Sequence, residues 1–310
     1  MNRIFKKVFL YAGCFLIFSY QASADSGNNP SVNIDTLQTA TYQIYSGGVN
    51  AVTAKLALMR KEDQYAVALS AYTRGFIGWL VPWEGTFETH GIINDTGIKQ
   101  PRMHRSTTTW KDETEIKTYS YKTDGTFDAL EIRIVGKDGR DVKNPDPELT
   151  SDTVDILTAT LGVMEAVGEG KACQGSDKIF DGKRSFDLLF NDKGSVKLDQ
   201  TRYNVFHGTA EQCTVEVLPL EGKWYKKPRG WLSIQEQGRE KGTMPSLWIA
   251  RSLNKDGQRG RGGTSLPVKM RVKTDYGTLF MHMTDYDRKI LNGEDNIDVA
   301  SISRQRDTAE

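Results

Sequence analysis

The chain has 310 residues, with 41 Lys and Arg set against 40 Asp and Glu, a formal net charge of +1. That balance excludes a wholesale nucleic-acid binder, which needs a broad cationic surface. The length suits one large β domain or two smaller ones of about 100–200 residues each.

The N-terminus reads as a targeting segment. Arg3, Lys6 and Lys7 precede an apolar run over residues 8–20, and Ala22-Ser23-Ala24 follows as a small-x-small site. This order is that of a secretory signal peptide, expected over residues 1–24 with cleavage after Ala24. Losing those three cations turns the net charge from +1 to −2. No later run reaches the roughly eighteen apolar residues of a membrane span, so no transmembrane segment is expected in the mature chain. Cys14 does not read as a lipidation site, because Tyr11 stands where an aliphatic residue belongs and most of the apolar run follows the cysteine. Two cysteines then remain, Cys173 and Cys213, in an exported chain. They are expected to form a structural disulfide, whose loop of roughly forty residues is worth about 4 kcal/mol in the chain-entropy account. Their spacing matches neither a redox C-x-x-C pair nor a zinc pattern.

Residues 25–39 are small and polar and read as a flexible leader. From Ala40 the pattern is one of short strands. Val52, Ala54, Leu56 and Leu58 alternate with Thr53, Lys55 and Ala57, and Tyr65, Val67 and Leu69 repeat the period. Asp124-Gly125 marks a hairpin turn. Gly-containing turns every eight to twelve residues predict a mainly β protein, a curled antiparallel sheet or open barrel-like domain over residues 40–286. One segment breaks the rhythm: Val154, Leu157, Leu161 and Met164 have helical spacing, with Thr150, Ser151 or Asp152 as N-cap and Gly168 or Gly170 as stop. A helix is therefore expected at about 150–167, filling the concave side of the sheet. Residues 287–310 are polar and aperiodic and read as a disordered tail.

Taken together, several motifs look familiar: YQIYSGGV, TRGFIGWLVPWEGTFETHG, KACQGSDKIFDGKRSFDLLF and LPVKMRVKTDYGTLFMHMTDY. Their order resembles a bacterial family of exported proteins labelled domain of unknown function 3108. The most specific element is Cys173, the turn Phe180-Asp181-Gly182 and the strand from Arg184 to Leu188, with Cys213 downstream. The resemblance implies a β-rich periplasmic protein of Gram-negative bacteria, and no activity or catalytic residue. More loosely it is similar to curled-sheet periplasmic proteins that include lipoprotein carriers and envelope-integrity factors.

Catalytic chemistry is not visible. His90, His104, His207 and His282 stand singly, without metal-ligand spacing, and read as surface or cross-strand histidines, so no metal or cofactor is expected. There is no G-x-S-x-G. Asp181-Gly182 is explained as a turn, and the glycine-rich 257–263 loop lacks the Lys-Ser/Thr of a phosphate loop. Two stretches are more informative. Residues 222–273 carry thirteen Lys or Arg against three Asp or Glu, with tryptophans among them. Lys223, Trp224, Lys226, Lys227, Arg229, Trp231, Arg259 and Arg261 are the candidate patch for an anionic partner, a lipid or an acidic envelope protein; a solvated sheet edge is the plainer alternative. In residues 73–91, Pro82 and the glycines interrupt any strand. The segment reads as strand, apolar bend and strand, with Phe76, Ile77, Trp79 and Leu80 as a candidate ligand rim and Trp83 and Phe87 as core. The expectation is a non-enzymatic periplasmic protein that supports the envelope by binding lipid, lipopolysaccharide or protein. A carrier of lipid or lipoprotein acyl chains is the alternative, and a hydrolase the third reading.

Overall fold

The computed structural model describes residues 35–137, 139, 141–251, 253, 265–275, 277–292 and 297–305. The expected signal segment and most of the expected leader lie outside the described residues, as do Arg259 and Arg261.

The chain forms a single curled sheet from two up-and-down meanders. The first contains β1 (Thr36–Ser46), β2 (Val49–Lys61), β3 (Gln64–Thr73), β4 (Trp83–Ile93), β5 (Lys99–Trp110), β6 (Glu113–Tyr121), β7 (Phe127–Ile134) and β8 (Asp141–Lys143). The second contains β9 (Thr153–Val154), β10 (Gly175–Phe180), β11 (Arg184–Leu198), β12 (Gly208–Gly222), β13 (Ser246–Ala250), β14 (Leu266–Thr274) and β15 (Gly277–Ile290). The strand order is β8 to β1, then β15 down to β9. The meanders meet where β1 pairs antiparallel with β15, Ile44 opposite Met281. Only β9 and β10 pair in parallel among the described residues.

The sheet is not closed: β8 and β9 are its two edges. Side chains bridge the seam instead of backbone hydrogen bonds. Tyr119 and Leu130 of the first meander cluster with Phe180 of the second, and Leu149 packs against them. Phe180 meets Phe127 and Tyr119 edge-on at centroid distances of 5.4 and 6.2 Å. Gly182 sits at φ +92° in the Asp181 turn, and a Cβ there would come within 3.0 Å of the Tyr119 hydroxyl. Glycine is needed on both counts.

Inside the curl lies α3 (Ile156–Gly168), preceded by α2 (Pro147–Thr150). In α3, Leu157, Leu161, Val163, Met164 and Val167 are all buried, on every side of the helix. With Thr158, Ala159, Thr160 and Ala166 also buried, the helix is covered nearly all round, as fits one enclosed by sheet. The helix starts later than its sequence suggests. Val154 belongs to β9, and the N-cap is Asp155, which accepts from the backbone N–H groups of Leu157 and Thr158. Cys173, just beyond the helix, is disulfide-bonded to Cys213 on β12, with a Cα–Cα distance of 5.6 Å. The expected staple between helix exit and strand is present.

Three further helices were not legible as such. The apolar bend of residues 73–91 is α1 (Gly75–Leu80), and α4 (Trp231–Lys241) follows the basic loop. The tail is also ordered differently from the expectation: β15 runs on to Ile290, and α5 (Val299–Arg304) packs Val299 and Ala300 onto Ala57, Ala66 and Ala68 on the outer face of β2 and β3. Small alanines let the helix approach the strands closely. At the other end, β1 starts at Thr36, inside the stretch expected as leader.

Register gives the barrel two ends. Strands β1, β3, β5, β7, β9, β10, β12 and β14 finish at one end, the mouth, and β2, β4, β6, β8, β11, β13 and β15 finish at the other, the base. The last turn of α3 reaches the base. There Glu165 pairs with Arg60 and Lys99. Arg251 donates to the Gly170 carbonyl at 3.1 Å and pairs with Glu211 at 3.0 Å.

Candidate binding cavity

Because α3 fills the base half of the lumen, the mouth half is left for something else. A cavity of about 360 Å³ lies above the first turn of α3, between the β4–β6 wall and the β10–β12 wall. Phe87, Tyr119, Phe180, Phe186, Trp224 and Trp231 line its sides, and Lys117, Lys183, Arg184, Lys223 and Arg229 contribute cationic groups.

The floor is polar but internally satisfied. Thr89 on β4 and His104 on β5 are cross-strand partners. The Thr89 hydroxyl donates to Asp155 Oδ1 at 2.6 Å, so its oxygen accepts from His104 Nδ1–H at 2.8 Å. Thr158 donates to Asp155 Oδ2 at 2.5 Å and is also 2.7 Å from the Tyr65 hydroxyl. Burial lowers the His104 pKa, more than the carboxylates of Asp155 and Glu88 raise it. The imidazole is therefore neutral at neutral pH, and its 3.4 Å contact with Asp155 is dipolar rather than ionic. Burial likewise raises the Tyr65 pKa, keeping its hydroxyl protonated. Gly91 makes room for this arrangement, since a Cβ there would collide with the Tyr65 ring.

This cluster has the composition of a catalytic triad without its geometry. The hydroxyl hydrogen-bonded to His104 belongs to Thr89, which is fully buried and aims its proton at Asp155. An activated nucleophile must face its substrate. The Asp155 network caps the helix and ties it to β4 and β5.

The rim is built on the loop between β12 and α4. Gln235, on α4, both donates to the Val217 carbonyl at 2.7 Å and accepts from its N–H at 2.8 Å, standing in for a ladder partner above the end of β13. Asp181 holds Arg184 through Nε at 3.0 Å and Nη2 at 2.7 Å, and the guanidinium lies 4.4 Å from the Trp224 ring centroid. Arg229 stacks on Tyr225 at 4.8 Å. Lys223, Lys226, Lys227 and Arg229 are exposed and form no ion pair among the described residues.

Of the basic and aromatic residues singled out from sequence, Lys223, Trp224, Arg229 and Trp231 line the cavity. Lys226 and Lys227 stand on the same loop outside it. Residues 259 and 261 lie outside the described residues; the flanking Leu253 and Ser265 leave the sheet at the base end, opposite the mouth. The apolar group on α1 does not line this cavity. Ile77 packs partly buried against the core, whereas Phe76, Trp79 and Leu80 face solvent. Trp83 and Phe87 are core, as their alternation predicts. Sequence reasoning missed Phe180, Phe186 and Arg184 of the β10–β12 wall as lining, and the floor pair His104 and Asp155. Among the described residues, no three His, Cys, Asp or Glu side chains gather as a metal site requires.

A second depression of about 730 Å³ lies on the outer face of β4–β7 beside α5. Glu88, Arg105, Glu131 and Arg133 line it, and Arg105 pairs with Glu88 at 3.1 Å. Its charges alternate in sign and favour no one class of ligand.

A family model described as protein of unknown function DUF3108 matches residues 41–284. The chain belongs to the DUF3108 family. Among solved structures, this DUF3108 protein is similar to a β-barrel-like protein of domain of unknown function DUF1849 from Brucella abortus, at 8% identity and a TM-score of 0.41. The alignment covers 83% of this chain and 98% of that one, and carries no argument about function. The search of curated proteins found no match. No helix among the described residues is long and apolar enough to cross a membrane.

Proposed function

We propose that this DUF3108 protein is a non-enzymatic periplasmic binding protein. Its ligand is an envelope amphiphile, whose single hydrocarbon chain occupies the mouth-half cavity while an anionic head meets the rim cations. One observation carries the reading: an aromatic-walled cavity whose polar floor is already satisfied and whose free charges are all cationic and at the opening. Apolar walls with few oriented polar groups are what ligand pockets of about 300–1,000 Å³ present. A volume near the lower bound suits one chain better than two. The disulfide and the signal-like N-terminus support an oxidising, exported setting.

The test is native mass spectrometry of the protein purified from its own periplasm, followed by lipid extraction. A stoichiometric adduct carrying an acyl chain is the expected result. Displacement of a fluorescent fatty acid then ranks variants. Lys223→Glu and Arg229→Glu should each weaken the probe about two- to fivefold, as exposed charge pairs do. A clean apo mass together with no fatty-acid binding would remove the reading and return attention to a protein partner.

A further inference from the structure

The mouth carries a second feature that the cavity does not use. Helix α1 joins β3 to β4 at this end, and it buries none of its residues. Phe76 and Trp79 stack on each other at 5.8 Å, yet remain 67% and 76% exposed, and Leu80 is 51% exposed. Of its six residues only Ile77 packs, half-buried, against the core. Its aromatic residues have no structural return for their exposure to water.

At the same end, β12 runs out into the loop bearing Tyr225, Lys226, Lys227 and Arg229. Tyr225 is 53% exposed. The strand register places this loop and α1 at the same end of the barrel, although they are about 150 positions apart in sequence. Exposed indole and phenyl rings at the same end of the barrel as unpaired cations have one well-defined complement, a lipid surface. Rings reside at the boundary of headgroup and chain, and lysines are drawn to anionic headgroups. An acidic protein would match the cations but offers nothing specific to a solvent-facing Phe-Trp-Leu knob.

We infer that the mouth end docks on an anionic bilayer, with Phe76, Trp79 and Leu80 entering the interface and Lys226, Lys227 and Arg229 engaging headgroups. This rests on the cavity reading only for its purpose, since docking mouth-down sets the opening of the cavity against the lipid. Phe76, Trp79, Leu80, Lys226 and Lys227 are separate from the cavity lining, and Arg229 alone of these residues belongs to both.

The experiment is flotation of the delipidated exported chain with vesicles of phosphatidylethanolamine alone, or of phosphatidylethanolamine and phosphatidylglycerol in equal parts. Fatty-acid displacement is measured in parallel without vesicles. The wild-type protein should float with the mixed vesicles and lose them at high salt. Lys226→Gln and Lys227→Gln should each lower the partition coefficient roughly fivefold. The double variant Phe76→Ser, Trp79→Ser should abolish flotation while displacing fatty acid normally. Wild-type levels of flotation by that double variant would overturn the docking surface. So would equal binding to both vesicle types, or a dimer that the double variant dissolves without any vesicle binding. Loss of fatty-acid binding with flotation intact would instead break the cavity reading alone.

Discussion

The two ends of the curled sheet are finished by different chemistry. At the base, α3 is buried on nearly all sides and its Glu165 is neutralised by Arg60 and Lys99, while Arg251 pairs with Glu211. At the mouth the lumen is open, Lys223, Lys226, Lys227 and Arg229 stand without ion pairs among the described residues, and the rings of Phe76, Trp79 and Tyr225 face water. Burial is what stabilises a fold, at roughly 25 cal/mol per Å² of apolar surface. A region that forgoes burial is retained for something outside the chain. The contrast predicts that substitutions at the base act on stability and leave ligand binding alone, whereas substitutions at the mouth do the reverse.

The largest effect should come from Leu161→Ala, which empties a fully buried site on α3. A loss of about 4 kcal/mol in urea unfolding is expected. If fatty-acid affinity collapsed with it in the still-folded protein, the two halves would not be separable. Replacing both Cys173 and Cys213 by alanine should lose about 4 kcal/mol, read by the same titration against the oxidised, disulfide-bonded wild type. Asp155→Ala lies on the boundary between the halves. It removes the helix cap and the acceptor for Thr89 and Thr158, so about 2 kcal/mol should be lost, accompanied by weaker probe binding.

A smaller effect should appear in the pH profile. Unfolded histidine titrates near pH 6.5, whereas burial holds folded His104 below that value. Between the two, the unfolded chain takes up a proton that the folded one refuses. Stability is therefore complete above about pH 6.5 and is lost as pH falls toward the folded value, with a slope of up to about 1.4 kcal/mol per pH unit. His104→Gln should flatten that slope. Some slope should remain from His282, whose pKa is lowered by burial and by Lys269. Least of all, Lys226→Gln with Lys227→Gln should change unfolding free energy by less than about 0.5 kcal/mol. A larger change would mean that the mouth cations contribute to the fold.

What could be read from sequence follows the same division. Alternation in residues 51–58 and 65–69, the Asp124-Gly125 turn and the cysteine pair are local signals, and each appears where its pattern places it. The start of α3 is not local. Thr150, Ser151 and Asp152 are all good caps by residue type, but Asp155 is chosen because Thr89 and Thr158 donate to its carboxylate once the sheet has curled. Helix α1 has no buried stripe from which a 3.6-residue period can be read. Helix α4 did leave a trace: Arg239 and Lys241 in its last turn, then Gly242 in the left-handed conformation. The cationic stretch concealed it. The cavity was half legible. The loop of residues 223–231 stands out by composition, but the rest of the lining comes from β4, β5, β6, β10 and β11, and no sequence pattern predicts which strands face one another across a lumen.

The junction of β1 with β15 bears on how the chain folds. Tyr286 Oη donates to Gln38 Oε1 across 248 positions, and the whole length of β1 is matched to the last strand. Neither meander can finish its sheet alone. Until β15 arrives, β1 presents an unpaired edge, the kind of template that recruits strands from other molecules. Contacts of such sequence separation make folding slow. The interval before the final strand docks is thus when this protein is most exposed to aggregation, and when a holding chaperone would protect it most.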